Sequence, residues 1–366
     1  MNFVFVSYNY DPGYDSPQKW LNRISGYMGV LTNLSKHHKV TRIKQMNYRG
    51  DELFKGVHFK FVNYNDEKLR FPWKLHRLIK SMNPDIVVVH GLHNPLQIIQ
   101  LHFKINKKTK IIVQNHAEKP AIGLKKQLQK IADKYIDAYL FASKAMGLDW
   151  VNKGNLASAG KIHEVMEVSS VFYPVEKESA LKKTGALGQP VFLWVGRLDK
   201  NKDPLTVVKA FIEFLKISPL ARLYMIYHTE ELLDDIKNVL NKHHISTDTI
   251  TLVGLVPNEE MLYWYNSADF IISGSHYEGS GTAVCEAMSC GCVPIVTDIF
   301  SFRMITDDGN IGLLYEAGNG AALLTALIKT QQMNMQEQRN KAIAYFKSTL
   351  SFEAIANKIE AIAASL

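Results

Sequence analysis

Two carboxylates flank a glycine loop in the second half of the 366-residue sequence. Glu278 precedes the loop, and Glu286 follows it at a spacing of eight residues. Glycines in front of a helix let backbone N–H groups approach a ligand closely, and a helix N-terminus favours an anion. A phosphate is therefore expected on the amides around residues 280–283. A carboxylate beside a phosphate is repulsive unless it accepts hydrogen bonds from hydroxyls, and sugar or ribose hydroxyls are the natural donors.

Two other interpretations of this pair stay open on these residues alone. Paired carboxylates also carry out glycoside hydrolysis. That interpretation is weaker here, because Glu286 lies on a helix next to the expected anion site. The plainer alternative is a surface loop and helix that carry two unrelated glutamates.

A second candidate group lies in the stretch Gly196-Arg-Leu-Asp-Lys-Asn-Lys202, which follows a predicted strand. Arg197 and Lys202 stand five residues apart on a loop that leads into a helix. A forked guanidinium together with an ammonium suits a diphosphate, whose charge is spread over two centres. The alternative, two solvated cations on a loop, is less favoured because the Glu278–Glu286 stretch is a second anion-binding feature in the same domain.

The elements that must position these residues alternate between β-rich runs and amphipathic helices, which is the pattern of parallel α/β sheets. Histidines 90, 93 and 116 follow predicted strands, and ligands bind at the carboxyl ends of strands in such sheets. The predicted strands are Phe3–Ser7, Ile86–His90, Ile111–Gln114, Tyr139–Ala142, Val165–Val168, Pro190–Val195, Arg222–Tyr227, Thr251–Val253, Phe270–Ser273 and Val293–Thr297.

Composition narrows the class of protein. Hydrophobic residues make up 46% of the chain and charged residues 21%, which suits a globular protein with real cores. Apolar runs are far shorter than the ~20 residues of a membrane-spanning helix, so an integral membrane protein is excluded. The start, Met1–Ser7, is predicted to be a strand and not a signal peptide. Three cysteines within eight residues suit neither a disulfide framework nor a zinc site, so we expect a cytoplasmic protein with reduced thiols.

Charge divides the chain. Residues 1–172 contain 26 Lys and Arg against 13 Asp and Glu, whereas the remainder contains 17 against 22. The predicted domains are a Rossmann-like domain over 1–172, a linker over 173–189 and a second Rossmann-like domain over 190–350. A helix over 351–366 is expected to pack back on the first domain. The fold class is α/β, with two doubly wound domains that face each other across a cleft.

The motifs of the second half resemble the retaining glycosyltransferases of the GT-B fold, specifically glycosyltransferase family 4, the glycosyl transferases group 1. The resemblance rests on Glu278-x7-Glu286, on the Gly-Arg-Leu…Lys element, and on Gly254–Glu260 with Tyr265–Asp269 after it. It covers most of residues 190–320, in the family's order. Asp85–His90 and Ile111–His116 are similar, more loosely, to acceptor-side strands of that family. The resemblance therefore implies that residues 1–172 form the acceptor-side domain and residues 190–350 the nucleotide-sugar-binding domain.

The resemblance implies a role for each matching residue. Glu278 would hold hydroxyls of the donor sugar, and Glu286 the ribose of the nucleotide. Arg197 and Lys202 would neutralise the leaving diphosphate, helped by amides near Gly281 and Thr282 and by the loop at Gly196. Backbone groups around Leu255 and Val256 would meet the base, and His116 would touch the donor sugar from the opposite domain. No metal and no other cofactor are implied, because the two cations take the place of a metal.

The chain departs from the family pattern on the acceptor side. The family often has two adjacent glycines after its first strand, where this chain has only Gly13. Gly13 and His93 are the acceptor-side candidates. The implied reaction transfers a sugar from a nucleotide-diphosphate donor to a glycan or lipid-linked acceptor, in cell-surface polysaccharide biosynthesis.

Two other functions fit parts of the sequence. A sugar-nucleotide epimerase with the GT-B fold would also bind a nucleotide diphosphate, but it would need acid–base carboxylates and no acceptor. The basic first half suits a nucleic-acid-binding protein, yet its cations are dispersed among helices and no recognised motif accompanies them. Lysine-rich helices with apolar neighbours better suit an anionic membrane surface. We therefore expect a peripheral protein on the inner face of the cytoplasmic membrane, and no nucleic-acid partner.

Overall fold

The computed structural model of the chain describes residues 1–64 and 70–366. The chain forms two compact units. The first unit comprises Met1–Ser169 together with Phe352–Leu366, and the second unit comprises Ser170–Ser351. Residues 173–189, predicted to be a linker, lie within the second unit and include a helix over Lys177–Thr184.

The described part of the first unit is an eight-stranded sheet with helices between its strands. Its strands are β1 (Asn2–Asp11), β2 (Lys39–Met46), β3 (Gly50–Phe54), β4 (Val57–Val62), β5 (Ile86–His90), β6 (Lys110–Gln114), β7 (Ala138–Phe141) and β8 (Ile162–Glu164). Its first helices are α1 (Pro17–Arg23), α2 (Ser25–Ser35), α3 (Trp73–Ser81), α4 (Pro95–Lys104), α5 (Gly123–Asp133) and α6 (Lys144–Asn152). Ala159–Lys161 forms a short 3-10 helix.

The sheet order in the first unit is β3-β4-β2-β1-β5-β6-β7-β8. All neighbours pair in parallel except β3 and β4, which are antiparallel. The central strand β5 reads Ile-Val-Val-Val-His and is buried along its whole length. β-Branched residues of this kind suit a strand that is covered on both faces.

The second unit repeats the alternation of helix and strand. Its strands are β9 (Val191–Gly196), β10 (Arg222–Tyr227), β11 (Ile250–Gly254), β12 (Phe270–Ser273), β13 (Val293–Thr297) and β14 (Leu313–Tyr315). Its helices are α7 (Lys177–Thr184), α8 (Pro204–Leu215), α9 (Leu233–Lys242), α10 (Met261–Ser267), α11 (Thr282–Ser289), α12 (Phe300–Ile305), α13 (Gly320–Lys329) and α14 (Met335–Tyr345). Thr330–Gln332 is a 3-10 helix and Phe346–Leu350 a π-helix.

The sheet order in the second unit is β11-β10-β9-β12-β13-β14, with every pair parallel. This is the doubly wound Rossmann order, and its direction reverses between β9 and β12. Ligands bind in the crevice beyond the carboxyl ends of the two strands at such a switch point. The predicted class, α/β with two Rossmann-like sheets, is confirmed.

Packed aromatic rings fill the core of the second unit. Phe192 of β9 lies 5.1 Å from Phe270 of β12 and 5.2 Å from Phe211 of α8, measured between ring centroids. Helix α8 begins locally, because Asp203 accepts a hydrogen bond from the Thr206 amide at 3.3 Å and Pro204 occupies the first turn. This cap fixes the end of the loop that carries Arg197 and Lys202.

Most predicted strands match observed ones to within a few residues, but the strand predicted over Val165–Val168 is wrong. The strand at this position is β8, over Ile162–Glu164. The Val165 amide still donates to the Phe141 carbonyl at 2.8 Å, and the chain then leaves the sheet. Glu167 consequently lies beyond the sheet edge, where its carboxylate contacts His116.

The final helix, α15 (Phe352–Ser365), belongs to the first unit and packs on α2. Gly29 of α2 lies under the ring of Phe352, so closely that a Cβ there would stand 2.3 Å from the ring carbons. Within residues 1–64 and 70–366, no helix combines the length and the hydrophobicity needed to cross a bilayer.

Candidate functional site

A pocket of about 400 Å³ opens at the carboxyl ends of β9 and β12, where the strand order of the second unit reverses. Its walls come from the second unit alone, and we call it the second-unit pocket. Nine of the residues predicted from the sequence line it: Gly196, Arg197, Lys202, Leu255, Val256, Glu278, Gly281, Thr282 and Glu286. Residues from three separate segments of the chain, after β9, β11 and β12, are thus brought together at one place.

Lys202 and Glu278 form an ion pair inside this pocket, through Lys202 Nζ and Glu278 Oε1. Ser275 Oγ donates to the same carboxylate oxygen at 2.6 Å. Both charged side chains are largely buried, with 20% of Lys202 and 15% of Glu278 exposed. Inside the pocket the lysine charge is therefore balanced by the carboxylate that precedes the glycine loop.

Asp199 organises the loop that carries the two cations, a role the sequence reasoning did not assign. One carboxylate oxygen accepts from the Lys202 amide at 3.0 Å, and the other lies 3.2 Å from Arg197 Nε. The Arg197 side chain is half exposed. Its remaining guanidinium donors are thus available at the mouth of the pocket.

The glycine loop reaches its helix through Gly281. This residue has φ of +59°, a left-handed conformation that favours glycine, and α11 begins at the next residue. A Cβ at Gly281 would stand 2.6 Å from Phe302 Cε1 and 3.0 Å from Ile305 Cδ1. The absence of a side chain therefore lets the N-terminus of α11 sit against α12 with its free amides on the pocket.

Glu286 lies one turn into α11, and Tyr265 of α10 donates its hydroxyl proton to Glu286 Oε2 at 2.8 Å. Burial raises the pKa of Glu286 to about 7, although the hydrogen bond from Tyr265 acts in the opposite direction. The tyrosine is fully buried, and its pKa lies well above its usual value, so it stays a donor. Sequence reasoning found the glutamate but not this partner, because the two lie on different helices.

The other end of the pocket is formed by the loop after β11. Leu255 is exposed there, and Val256 lies beside Asn258 on the same wall. Tyr227 and His228, at the end of β10, also line the pocket and were not singled out from the sequence. This end has backbone and aromatic surface suited to a flat heterocyclic ring.

His116 lies in the first unit and is bound through both ring nitrogens. Its Nε2 is 2.7 Å from His90 Nδ1, with the two ring planes within 18° of parallel, and its Nδ1 contacts a carboxylate oxygen of Glu167. Burial, followed by the nearby Arg42 charge, holds the pKa of His90 well below its usual value, so His90 is neutral. His90 and Glu167 therefore fix the orientation of the His116 ring.

His93 and Gly13 lie elsewhere in the first unit. His93 is 3.0 Å from Glu118 Oε1 and 3.4 Å from Asn9 Oδ1, where β1 and β5 diverge. Burial works to raise the pKa of Glu118, but hydrogen bonds from His93 and the His116 amide lower it overall. Gly13 is exposed in the turn after β1 with no atom within 4 Å of a Cβ, so packing does not demand a glycine there.

Over the described ranges, 1–64 and 70–366, no group of three His, Cys, Asp or Glu side chains has the arrangement of a metal site. Cys285, Cys290 and Cys292 are buried free thiols.

The sequence of the second unit matches a known protein family. Residues 176–349 match the family described as glycosyl transferases group 1. The matched segment contains every residue of the second-unit pocket named above.

Two curated relatives are similar in sequence. A Campylobacter jejuni N-acetylgalactosamine-N,N'-diacetylbacillosaminyl-diphospho-undecaprenol 4-alpha-N-acetylgalactosaminyltransferase is 22% identical over 295 residues, covering 77% of this chain and 78% of that protein. The O-antigen chain mannosyltransferase B of Escherichia coli is 26% identical over 162 residues, 43% of this chain and 41% of that protein.

Solved structures resemble the whole chain. A glycosyltransferase from Rickettsia africae has a TM-score of 0.76 at 17% identity, covering 100% of this chain and 98% of that one. Anabaena HepE in complex with UDP has a TM-score of 0.75 at 12% identity, covering both chains fully. At such identities these similarities concern the fold.

Proposed function

Because residues 176–349 match the glycosyl transferases group 1 and the chain has the GT-B fold, we propose that this protein is a retaining glycosyltransferase. It moves a sugar from a nucleotide-diphosphate donor to a hydroxyl of a glycan or lipid-linked acceptor, in cell-surface polysaccharide biosynthesis. Relatives named for lipid-linked glycan and O-antigen transfer support this choice of acceptor. The epimerase and nucleic-acid alternatives are not favoured, since the relatives are named as transferases.

The observation that carries the proposal is the second-unit pocket. Arg197, Lys202 and the N-terminus of α11 supply positive charge around one volume, and Glu278 and Glu286 line the same volume. That arrangement fits a diphosphate flanked by two sets of hydroxyls. In this proposal Glu286 accepts from the ribose, Glu278 from the sugar, and the wall at Leu255 and Val256 contacts the base.

The chemistry proposed for this pocket needs no protein base. The bond between the sugar C1 and the diphosphate oxygen breaks, and the acceptor oxygen bonds to C1 on the same face. The acceptor proton passes to the departing phosphate oxygen. Arg197, Lys202 and the α11 amides stabilise the charge that develops on the diphosphate, which lowers the barrier by electrostatic preorganisation.

The remaining assignments of the site are proposals of the same kind. His116, oriented by Glu167 and His90, is the proposed contact to the donor sugar. Gly13 and His93 remain proposed acceptor-side residues. The enzyme is proposed to act in the cytoplasm at an anionic membrane surface that the basic first unit contacts. Arg197 and Lys202 supply the positive charge that a divalent metal would otherwise supply, so we expect donor binding to survive EDTA.

Nucleotide binding gives the first test. A ligand that binds only the native state raises its melting temperature, so we expect stabilisation by UDP, GDP or ADP, with CMP as the monophosphate comparison. Arg197→Ala should weaken nucleoside diphosphate binding about tenfold and leave nucleoside binding unchanged, because charge-assisted hydrogen bonds contribute roughly 1.5–3 kcal/mol. Lys209→Ala, an exposed cation of α8 outside the pocket, is the matched control.

Transfer itself is tested with the donor that these titrations identify. The anomeric configuration of the product, read by NMR, should equal that of the donor; inversion would overturn the retaining mechanism. Full transfer by both Arg197→Ala and Glu286→Ala would overturn the assignment of the pocket. The absence of any stabilising nucleotide would overturn the proposed donor class.

A further inference from the structure

Helix α5 in the first unit buries polar side chains and exposes apolar ones. Its buried side chains include Gln129 and Asp133, whereas Leu124 is 86% exposed and Ile131 44% exposed. Just before the helix, Ile122 is 87% exposed. A surface helix ordinarily buries its apolar face and exposes its polar one, so this pattern needs an explanation.

The buried polar groups of α5 have partners, so the inversion is a stable feature of the fold. Gln129 Nε2 donates to the Leu92 carbonyl at 3.2 Å, and Asn155 Nδ2 donates to Gln129 Oε1 at 2.7 Å. Asp133 accepts from the Tyr139 hydroxyl at 2.8 Å. These bonds hold one face of the helix against the sheet and keep the opposite side toward solvent.

The solvent side of α5 carries two parallel rows. Leu124, Leu128 and Ile131 follow at helical spacing and form an apolar stripe, which Ile122 extends at the N-terminal end. Lys126, Lys130 and Lys134 recur every four residues and form a lysine row beside it. Phe103, at the end of α4, is 71% exposed and packs on Tyr135, which continues the apolar surface beyond the helix.

The exposed charged side chains of this surface are positive. Residues 119–136 contain five lysines and one acidic residue, Asp133, whose side chain is buried. Glu118, just before them, is turned inward to Asn115 and His93. A row of cations beside exposed aliphatic side chains complements a partner that is anionic at its surface and apolar beneath it.

We propose that the solvent side of α5, formed by the apolar stripe and the lysine row, docks the protein on a bilayer that contains anionic lipids. Ile122, Leu124 and Ile131 enter the boundary between headgroups and acyl chains, and the lysine row stays at the level of the phosphates. The helix lies in the plane of the surface and does not span it. This inference deepens the membrane partner proposed above by naming the surface, and its test needs neither donor nor acceptor.

The test is co-sedimentation of the full chain with two kinds of vesicle, phosphatidylcholine alone and phosphatidylcholine with phosphatidylglycerol. We expect binding to the anionic vesicles that weakens at high salt, because salt screens the lysine row. The double variant Leu124→Ser/Ile131→Ser should bind at least about tenfold more weakly. Lys126→Gln/Lys130→Gln should lose the preference for anionic vesicles and retain the weak binding to neutral ones.

The matched control is Ile217→Ser/Leu220→Ser, which removes two exposed aliphatic side chains of the second unit, 49% and 62% exposed. It should bind vesicles like the unmodified chain. Stabilisation by a nucleotide should be the same in all variants, so loss of folding or of the second-unit pocket would be seen separately from loss of docking.

Three results would overturn the proposal. One is equal binding of the Leu124→Ser/Ile131→Ser variant and the unmodified chain to anionic vesicles. Another is a self-association seen by sedimentation velocity that this variant abolishes while vesicle binding persists, since the stripe would then be an interface between two copies. The last is a salt-sensitive complex with RNA that survives in the presence of excess anionic vesicles.

Discussion

Among the residues of the pocket, Glu286 stands out because its buried carboxyl has a pKa of about 7. An ionised carboxylate accepts hydrogen bonds from ribose hydroxyls, whereas the protonated form has lost part of that capacity. The raised pKa of Glu286 contributes to the free energy of unfolding, and this contribution is fully present at pH values below 4.5, the usual pKa of a glutamate. The contribution is lost as the pH rises through 7. Binding of a ribose therefore favours release of a proton.

We predict that nucleotide affinity rises with pH, by as much as about tenfold per pH unit, until about pH 7. Above that pH the affinity should be constant. Isothermal titration calorimetry across pH 5–9 measures the nucleotide affinity. Glu286→Gln should remove this dependence and leave only that of the ligand's own phosphate. Tyr265→Phe removes the hydrogen bond that favours ionisation, so its profile should shift to higher pH. An unchanged profile in Glu286→Gln would assign the titration to another group.

Glu278 is expected to have opposite effects on binding and on transfer. It neutralises Lys202 in the unliganded pocket and repels a phosphate placed beside it. Glu278→Gln should therefore bind a nucleoside diphosphate several-fold more tightly, while sugar transfer falls by roughly 10- to 100-fold, because a hydrogen bond to a charged group contributes about 1.5–3 kcal/mol. Calorimetry measures the affinity for the nucleoside diphosphate, and initial rates measure sugar transfer. Weaker binding by this variant would show that the carboxylate does not oppose the phosphate.

Several of these residues could be predicted from the sequence and others could not. Glu278 and Glu286 are found because a single loop and helix fix their spacing, and the same holds for Arg197 and Lys202. Tyr265 and Glu167 approach their partners only through tertiary packing of separate elements. A spacing rule along one segment carries no information about such contacts, so a three-dimensional fold is needed to find them.

At the scale of elements, the junction of the glycine loop with α11 depends on the absence of one side chain. Gly281→Ala forces an alanine into φ of +59° and places its Cβ 2.6 Å from the Phe302 ring. We predict a loss of roughly 2–4 kcal/mol in the free energy of unfolding, from backbone strain and overpacking together. Urea denaturation measures it, and nucleotide affinity should fall as well. Gly185→Ala, at a left-handed C-cap with open space around its Cβ, should show the strain alone.

Element prediction succeeded where a buried strand has a strong local signal, as in β5, with its run of valines. It failed at the edge of the first sheet. The apolar alternation of Val165–Val168 suits a strand, but only the first of these residues still bonds to β7, through its amide. Pairing at a sheet edge depends on whether the neighbouring strand still extends beside it, and β7 ends at Phe141.

At the scale of the whole molecule, the first unit is assembled from two distant parts of the chain. Ile359 of α15 is completely buried there. Ile359→Ala should destabilise the first unit by about 2–4 kcal/mol, through lost burial and the cavity that remains. Hydrogen exchange should speed up in α2 and leave the amides of β9 and β12 unchanged. Equal acceleration in both units would show that they unfold together.

The charge difference between the halves of the sequence suggested a division near residue 172, and the structure divides the chain after Ser169. Composition bears on such a division because each unit has its own surface. It says little about residues 173–189, whose glycines and charges suggest a linker although Lys177–Thr184 is helical and packs on α10. That packing comes from contacts distant in sequence, which composition does not record.

Because α15 belongs to the first unit but follows the second unit in the sequence, the first unit can be completed only after the second unit has been synthesised. A ribosome makes Met1–Ser169 first, then all of Ser170–Ser351, and only afterwards the segment that covers α2. At about 5–20 residues per second, synthesis of the second unit, Ser170–Ser351, keeps Met1–Ser169 without α15 for roughly 9–36 seconds. During that interval the surface of α2 that α15 later covers is open to chaperones, and the half of the molecule translated first is the last to mature.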